Sequence, residues 1–522
     1  MTGGDRPPRR FTSLARHVVL MATPRLDDPL DIGGLTLRNR LYRAPVLECA
    51  GTGPDAPERL AAELEPAARA GAGLVCQGAT IVRETGGCAA PGMTRIADPE
   101  FAASLSTVTE RIHDHGSAVA VQLEYGGLRS METWHAAYRR DHPDLRQLAV
   151  SRPPRLLRLL DALGFLDYDA HVMTTDEVYD LAADFGRSAA MAVDAGYDVV
   201  HVAGANMGIV HQFLSPFYNR RDDEFGDGVR FLEVVSDEVR SRAGDVPLTT
   251  KVPAETAAPP GIRRRLTEDD AVGICRRLDD VGYDALVPVS GSVFWDASIV
   301  RGSFPARAWR DDRYRDGYAA AFGGPLRARL VELGNRIEAA WYDFDPAWNA
   351  DLCRRVRDAV SVPVLCEGGI RERGEIDRLL GDACDAVGMA RPFYAEPELP
   401  ARLLGRDVSA DTRVVCENCN NCAVPQATGA PGVCRTPAVL ARAGTLRMEA
   451  RTIQTPRPRT PTRPTRRVNK ALAGVLDNGA RPVRDGVGRT DGGARRARRR
   501  GRPSHHQRTR RTHDGKRNLR YV

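Results

Sequence analysis

Short runs of β-branched and other apolar residues recur along the chain, separated by longer stretches whose apolar positions return every three or four residues. The short runs predict strands at "LYRAPV" (41–46), "GLVCQ" (73–77), "AVAVQL" (118–123), "YDVVHV" (197–202), "VPLTTKV" (246–252), "YDALVPV" (283–289), "VPVLCE" (362–367) and "DAVGM" (385–389). Between them, stretches such as "PEFAASLSTVTERIHDHG" and "DEVYDLAADFGRSAAMAVDAG" carry the spacing of an amphipathic helix. Gly116, Gly196 and Gly282 each follow such a stretch and precede a strand, where a helix closes on a left-handed residue. Eight β-α repeats with buried strands predict an α/β fold, a closed parallel (β/α)8 TIM barrel in preference to an open doubly wound sheet. In such a barrel the chemistry collects on the loops that follow the strand C-termini.

Two inserts lengthen the repeat, residues 129–172 after the third strand and 290–348 after the sixth. The aromatics and arginines of "FWDASIVRGSFPARAWRDDRYRDGY" suit loops that cover a substrate, with surface decoration as the alternative for any single residue. The expected organisation is an N-terminal extension over 1–24, a barrel over 25–408, a Cys-rich segment over 409–440 and a disordered basic tail over 441–522.

The charge balance sharpens that division. Of the formal charge of +7, residues 451–522 contribute +18, from 20 Arg and 2 Lys against 4 Asp, which leaves −11 on residues 1–450. The tail, rich in Arg, Pro, Thr and Gly, cannot bury enough surface to offset its ordering entropy. Its basic character fits nucleic acid or acidic surfaces, but it lacks the aromatic residues on which single strands stack, and a dispensable or frame-shifted end accounts for it as well. Apolar content of 42% in 522 residues supports a large core, and no apolar run is long enough to cross a bilayer, so a soluble protein without membrane association is expected. At the N-terminus "HVVLMA" is too short for a secretory apolar core, and Met21 offers an alternative start that would leave residues 1–20 as an extension.

Seven of the eleven cysteines (Cys49, Cys76, Cys88, Cys275, Cys353, Cys366, Cys384) stand singly, several within apolar runs, as buried thiols of a protein from a reducing, cytoplasmic compartment. The other four are bunched in "CENCNNCAVPQATGAPGVC": Cys416, Cys419, Cys422 and Cys434, spaced C-x2-C-x2-C-x11-C. From spacing alone, four thiolates suit a tetrahedral Zn site and an iron–sulfur cluster equally.

Anion chemistry is legible at the end of the barrel. The seventh strand ends in "CEGGIRERGE" and the eighth in "GMARPFYAEPEL", small residues where backbone N–H groups approach an anion closely, with Arg391 as a fixed cationic fork. The loops after the last two strands form the usual phosphate site of this architecture.

The blocks "LRNRLYRAPVLECAG", "VQLEYGGLRS", "GANMGIVHQFLSPFYNRRDDEFG", "PLTTKVPA", "EGGI" and "MARPF", in this order over roughly residues 25–440, resemble the Old Yellow Enzyme group of FMN-dependent oxidoreductases. The branch that includes 2,4-dienoyl-CoA reductase and trimethylamine dehydrogenase is the more similar, because it places a comparable cysteine set directly after the barrel for a [4Fe–4S] cluster. The resemblance implies hydride transfer between FMN and a small organic substrate, with NAD(P)H as a possible reductant and Cys416, Cys419, Cys422 and Cys434 as cluster ligands. It implies Pro45 and Val46 along the isoalloxazine, Ala79 at its edge, Gln122 on the pyrimidine ring and Lys251 near N1 and O2. Gly368, Gly369, Ala390 and Arg391 would hold the phosphate.

The substrate side departs from that pattern. Ala203 and Asn206 align with the family's His-x-x-His/Asn pair, Gly208 with its proton-donating Tyr, and Leu47 with the Thr/Cys that tunes flavin O4. Enone reduction needs carbonyl polarisation followed by a proton, so Asn206 and Tyr125 are the candidate catalytic groups. His201 reads as a barrel-core residue and His211 as a structural one. No G-x-G-x-x-G follows residue 434, so cluster electrons are expected to reach a separate electron-transfer protein. The alternatives are an oxidative amine or alcohol dehydrogenase, and a non-catalytic flavin or zinc protein with a nucleic-acid-binding tail.

Overall fold

Val75, Val119, Val121, Val200, Leu248 and Leu286 alternate along their strands with residues of the opposite face, and both sets are buried. Strands apolar on both faces belong in a sheet covered by helices outside and closed on itself inside. The computed structural model of the protein describes residues 23–454 except 163, 165, 258–263 and 292–299, and among these it shows that arrangement. Eight strands, β1 (Leu41–Arg43), β2 (Leu74–Ile81), β3 (Ala118–Glu124), β4 (Val199–Val202), β5 (Leu248–Ala254), β6 (Ala285–Ser290), β7 (Leu365–Glu367) and β8 (Ala386–Met389), pair in parallel in the order β6-β5-β4-β3-β2-β1-β8-β7. The ring closes between β6 and β7 through a parallel bridge of Leu286 with Val364 and a 3.0 Å hydrogen bond from Leu286 N–H to the Pro363 carbonyl. The predicted (β/α)8 barrel is the observed fold.

One inward set, Tyr42, Ala44, Leu74, Cys76, Ala120, Val199, Ala285, Val287, Leu365 and Ala386, packs with Leu30, Ile32 and Leu37 from an antiparallel hairpin (Leu30–Ile32 with Leu35–Leu37). Each fully buried aliphatic side chain of this kind contributes about 1.5–3 kcal/mol. The outward set meets the surrounding helices, of which Thr175–Asp194 and Glu268–Val281 start at Thr174 and Thr267 with reciprocal capping boxes. Gly116, Gly196 and Gly282 all take positive φ, as the sequence predicts.

The first insert contributes three short helices (Met131–Trp134, Ala136–Asp141, Arg155–Ala162) and a two-stranded ladder. The second contributes helices Ala306–Arg310, Asp312–Phe322 and Pro325–Trp341, and it docks on the cysteine-bearing segment. Ser303 N–H bonds the Asn418 carbonyl at 3.0 Å, Ala308 N–H bonds Asn421 Oδ1 at 3.1 Å, and a side chain on Gly302 would collide with Asn418.

The helix Pro437–Gln454 corrects one expected boundary, because ordered chain continues past residue 440. Val439 and Ala443 bury against Ala395 and Val415. The remaining terminal expectations, the extension over residues 1–22 and the tail from 455, lie outside the described residues. Among the described residues no helix is long and apolar enough to cross a membrane, and all eleven cysteines are free thiols.

Candidate functional site

A cavity of about 290 Å³ opens at the C-terminal mouth of the barrel. Pro45 and Val46 from the loop after β1, Asn206 after β4 and Lys251 on β5 line one part, and Gly368, Gly369, Ala390 and Arg391 after β7 and β8 line the other. Eight of the eleven barrel positions singled out from the sequence therefore meet in one cleft. Ala79, Gln122 and Tyr125 do not line it. Ala79 is buried in β2 at the bulge between Gln77 and Thr80, and Gln122 is buried on β3 in register with His201. Tyr125 is buried with its ring beside Gly86 and Gly87 and under the Arg83 guanidinium at 5.7 Å, and burial pushes its hydroxyl well above the ordinary tyrosine range.

The loop after β1 is held from beneath by buried charge. Arg43, 2% exposed, donates to Glu48 Oε1 at 2.8 Å, to Glu63 Oε1 at 3.0 Å and to the Cys76 carbonyl at 3.1 Å. Glu48 Oε2 in turn accepts the Gly78 N–H at 2.9 Å, and a side chain on Gly78 would strike the Val46 carbonyl. Burial, reinforced by Glu48, raises the Glu63 carboxyl to about 8 against the pull of Arg43. From above, the Leu47 carbonyl accepts from Tyr394 Oη at 2.8 Å and from Gln426 Nε2 at 2.7 Å. Gln426 belongs to the cysteine-bearing segment, which thus supplies part of the cleft wall.

Lys251 Nζ is paired with Glu367 Oε2 at 2.5 Å, and Glu367 Oε1 accepts from Tyr42 Oη at 2.8 Å. Beneath Lys251, His201 is a barrel-core residue: Nδ1 lies 2.8 Å from Thr249 Oγ1, and burial with Lys251 nearby lowers the imidazole to about 3, which keeps it neutral.

The turn after β4 is conformationally unusual. Asn206 and Met207 both have φ of 62°, a left-handed pair without glycine. Met207 N–H donates to His211 Nδ1 at 3.0 Å, which fixes the imidazole proton on Nε2, 3.1 Å from Glu255 Oε1. Glu255 also accepts from Ser215 Oγ at 2.9 Å and Leu266 N–H at 2.7 Å, and its bonds to His211 hold it below the ordinary range despite the opposing effect of burial, the largest single influence. This buried chain sets Asn206 at the cleft. Arg129 joins Asn206 there, 3.5 Å from the buried carboxyl of Glu124, which burial raises. Arg129 escaped the sequence reading, although "QLEYGGLRS" places it in the loop after β3; its reach into the cleft depends on the Gly126–Gly127 turn.

The glycine end fits an anion. Gly368 and Gly369 have φ of 104° and 72°, and a side chain on either would strike Trp348. Trp348 Nε1 is buried without a hydrogen-bond partner, as are Arg301 Nε and Arg371 Nε and Nη2. Arg301 lies over the Trp348 ring at 5.4 Å, and burial depresses the Arg371 guanidinium, with Arg413 and Arg391 adding to it. Buried N–H donors without partners beside a glycine cradle match a phosphoryl group.

All four bunched cysteines line a second, small cavity, and Arg391, Tyr394, Asn418 and Cys422 line both it and the cleft. Asn418 and Asn420 take φ of 52° and 56°, so the "CENCNNC" loop winds around that cavity. Cys419 Sγ lies 3.0 Å from Thr436 Oγ1 and accepts from Asn421 Nδ2 at 3.3 Å. Burial pushes the Cys422 thiol up to about 12 against the pull of Arg391. Among the described residues no three His, Cys, Asp or Glu side chains are gathered tightly enough to hold a single metal ion.

Comparison with known proteins gives the family of the chain. The chain is 26% identical over 438 residues to a 4,4'-dithiodibutanoate disulfide reductase of Rhodococcus erythropolis, covering 81% of this chain and 98% of that protein. It is 27% identical over 414 residues to a dimethylamine dehydrogenase of Hyphomicrobium sp. (strain x), covering 76% of this chain but only 48% of that longer protein. A solved histamine dehydrogenase from Rhizobium sp. 4-9 shares the fold with a TM-score of 0.60 at 19% identity, over 80% of this chain and 53% of that one. Residues 25–307 match the NADH:flavin oxidoreductase / NADH oxidase family, and the chain is an enzyme of that family.

Proposed function

We propose that the protein is an FMN-dependent oxidoreductase that transfers hydride between the flavin and an organic substrate, with a [4Fe–4S] cluster held by Cys416, Cys419, Cys422 and Cys434. The observation that carries this reading is the cleft itself: one part is lined by loop backbone and a buried lysine, the other by two glycines, Arg391 and an unpaired Trp348 N–H. Bound there, FMN supplies reversible hydride acceptance. The chain's own residues do the rest. Lys251 places positive charge at the ring end, where it favours an anionic reduced flavin. Gly368, Gly369, Ala390, Arg391 and Trp348 bind the phosphate. Asn206 and Arg129 present amide and guanidinium donors over the ring end, and they are positioned to polarise a substrate carbonyl in place of the missing histidine. Tyr125 is too deeply enclosed to share that task without a rearrangement of the Gly86–Gly87 turn.

The cluster is favoured over zinc by the position of the four cysteines, which line one small cavity directly after a flavin-family barrel. The shared wall of Arg391, Tyr394, Asn418 and Cys422 gives electrons a short path to the cleft, so a separate electron-transfer protein is the proposed partner beside the small-molecule substrate, with NAD(P)H as the proposed hydride source. The seven singly placed thiols suit the cytoplasm.

Anaerobically purified protein is expected to be yellow-brown, with iron and FMN in it, and to bleach with NADH or NADPH. Colourless protein that stays colourless after incubation with FMN would refute the reading. Bleaching by an amine instead of a nicotinamide would mark the oxidative direction.

A further inference from the structure

A third cavity, of about 460 Å³, lies between the second insert and the cysteine-bearing segment. Val300 and Ala423 line both it and the cleft at the barrel mouth, so the two spaces adjoin. Its walls are apolar and partly flat: Trp309 and Phe322 pack at 6.2 Å between ring centroids, Trp309 also packs on Tyr318 at 4.7 Å, and Val331, Ala339 and Tyr342 line the side that stays partly open to solvent. Its polar groups engage one another, Trp309 Nε1 donating to Asn335 Oδ1 at 3.2 Å and Asn335 Nδ2 to Glu338 Oε2 at 3.2 Å. An apolar, partly open space of this size is the scale of a ligand pocket.

Gly334 points the same way. It sits inside the helix Pro325–Trp341 and lines the cavity, at ordinary helical φ. A Cβ placed on it meets nothing within 4 Å. Glycine is, after proline, the least favourable residue in a helix interior, and neither crowding nor a left-handed backbone calls for one here. What its missing side chain leaves is room in the cavity.

We propose that this cavity binds an uncharged aromatic molecule of about two fused or linked rings, and that it receives the apolar body of the substrate while the reacting end passes Val300 and Ala423 into the cleft. The substrate role rests on reading that cleft as the flavin site. The lining carries a carboxylate, Glu338, and no cation, so anions are disfavoured.

The test titrates FMN-loaded full-length protein with the uncharged fluorophore N-phenyl-1-naphthylamine, following its emission, the quenching of tryptophan emission and the flavin absorption band. Wild type is expected to bind one probe saturably with a shift of the flavin band, and the anionic 1-anilinonaphthalene-8-sulfonate at least tenfold more weakly. G334L and, independently, A339L are expected to weaken the uncharged probe at least tenfold while FMN content is unchanged. Equal probe binding by wild type and both filled variants, or equal binding of the two probes, would overturn the proposal. Protein that binds FMN but no probe would overturn it alone. Protein that binds the probe in the filled-variant-sensitive way but never takes up FMN would support the cavity assignment and sink the flavin reading.

Discussion

Lys251 and Glu367 face each other across the barrel mouth with side chains 9% and 12% exposed and 2.5 Å between Nζ and Oε2. At an effective dielectric constant near 20, that separation corresponds to a gross attraction of about 7 kcal/mol, most of it offset by the desolvation of both ions. Removing one partner is a different matter, because it strands the other charge. K251M in FMN-free protein leaves the Glu367 carboxylate with the Tyr42 hydroxyl at 2.8 Å as its remaining side-chain bond, and a loss of about 3–5 kcal/mol is expected. E367Q strands the ammonium at similar cost. The K251M/E367Q double variant strands neither, so it should be more stable than the sum of the single losses predicts, by at least about 1–2 kcal/mol. Urea denaturation of the four proteins at pH 7 measures the cycle. Losses that add to within about 0.5 kcal/mol would show that the pair does not act as a unit and would refute the reasoning. In the FMN-loaded protein, K251M should also lower the flavin reduction potential, since the cation is then absent from the ring end.

The Glu63 carboxyl, raised from its ordinary 4.5 to about 8, is protonated in the fold where the unfolded chain is ionised, so stability falls as pH rises from about 4.5 to 8, by up to about 1.4 kcal/mol per pH unit. E63Q should flatten that slope in Tm against pH, and an unchanged slope would assign it elsewhere. C422S is expected to lose iron and acid-labile sulfide while keeping FMN; full zinc and no iron in the wild type would contradict the cluster. N206G relieves the left-handed strain at φ 62° and should raise stability by about 0.5–1 kcal/mol while turnover falls at least tenfold. Undiminished kcat in N206G would remove Asn206 from the mechanism.

The barrel was legible because its strands are apolar on both faces and its helices are periodic, so eight repeats survive any error at their ends. The glycine cradle was legible for a similar reason: "GGI" and "ARP" are local, and chain order alone brings them side by side. Arg129 was not, because its place in the cleft is decided by the Gly126–Gly127 turn and by the Glu124 carboxyl beside it. The Arg43–Glu48–Glu63 cluster was hidden too, since only the β1 loop folding back on its own strand and on the helix Ala56–Arg69 brings the three together. Tyr125 shows the converse failure. Its position in the family block suggested the flavin, but in this chain the aromatic ring is buried outside the cleft, under the Arg83 guanidinium. The helix past residue 440 was missed because two small contacts, Val439 and Ala443, carry it into an otherwise charge-rich stretch.

The hydrogen bond from Gln426 to the Leu47 carbonyl has a practical bearing on domain swaps and minimal versions of this enzyme. A barrel cut off before the cysteines would lack one side of the cleft proposed for the nucleotide, so shortening the gene to the eight repeats should weaken dye retention as well as iron content. Grafting this barrel onto another reductase would therefore have to carry the thiol-bearing loop with it, as a fitted part of the same socket.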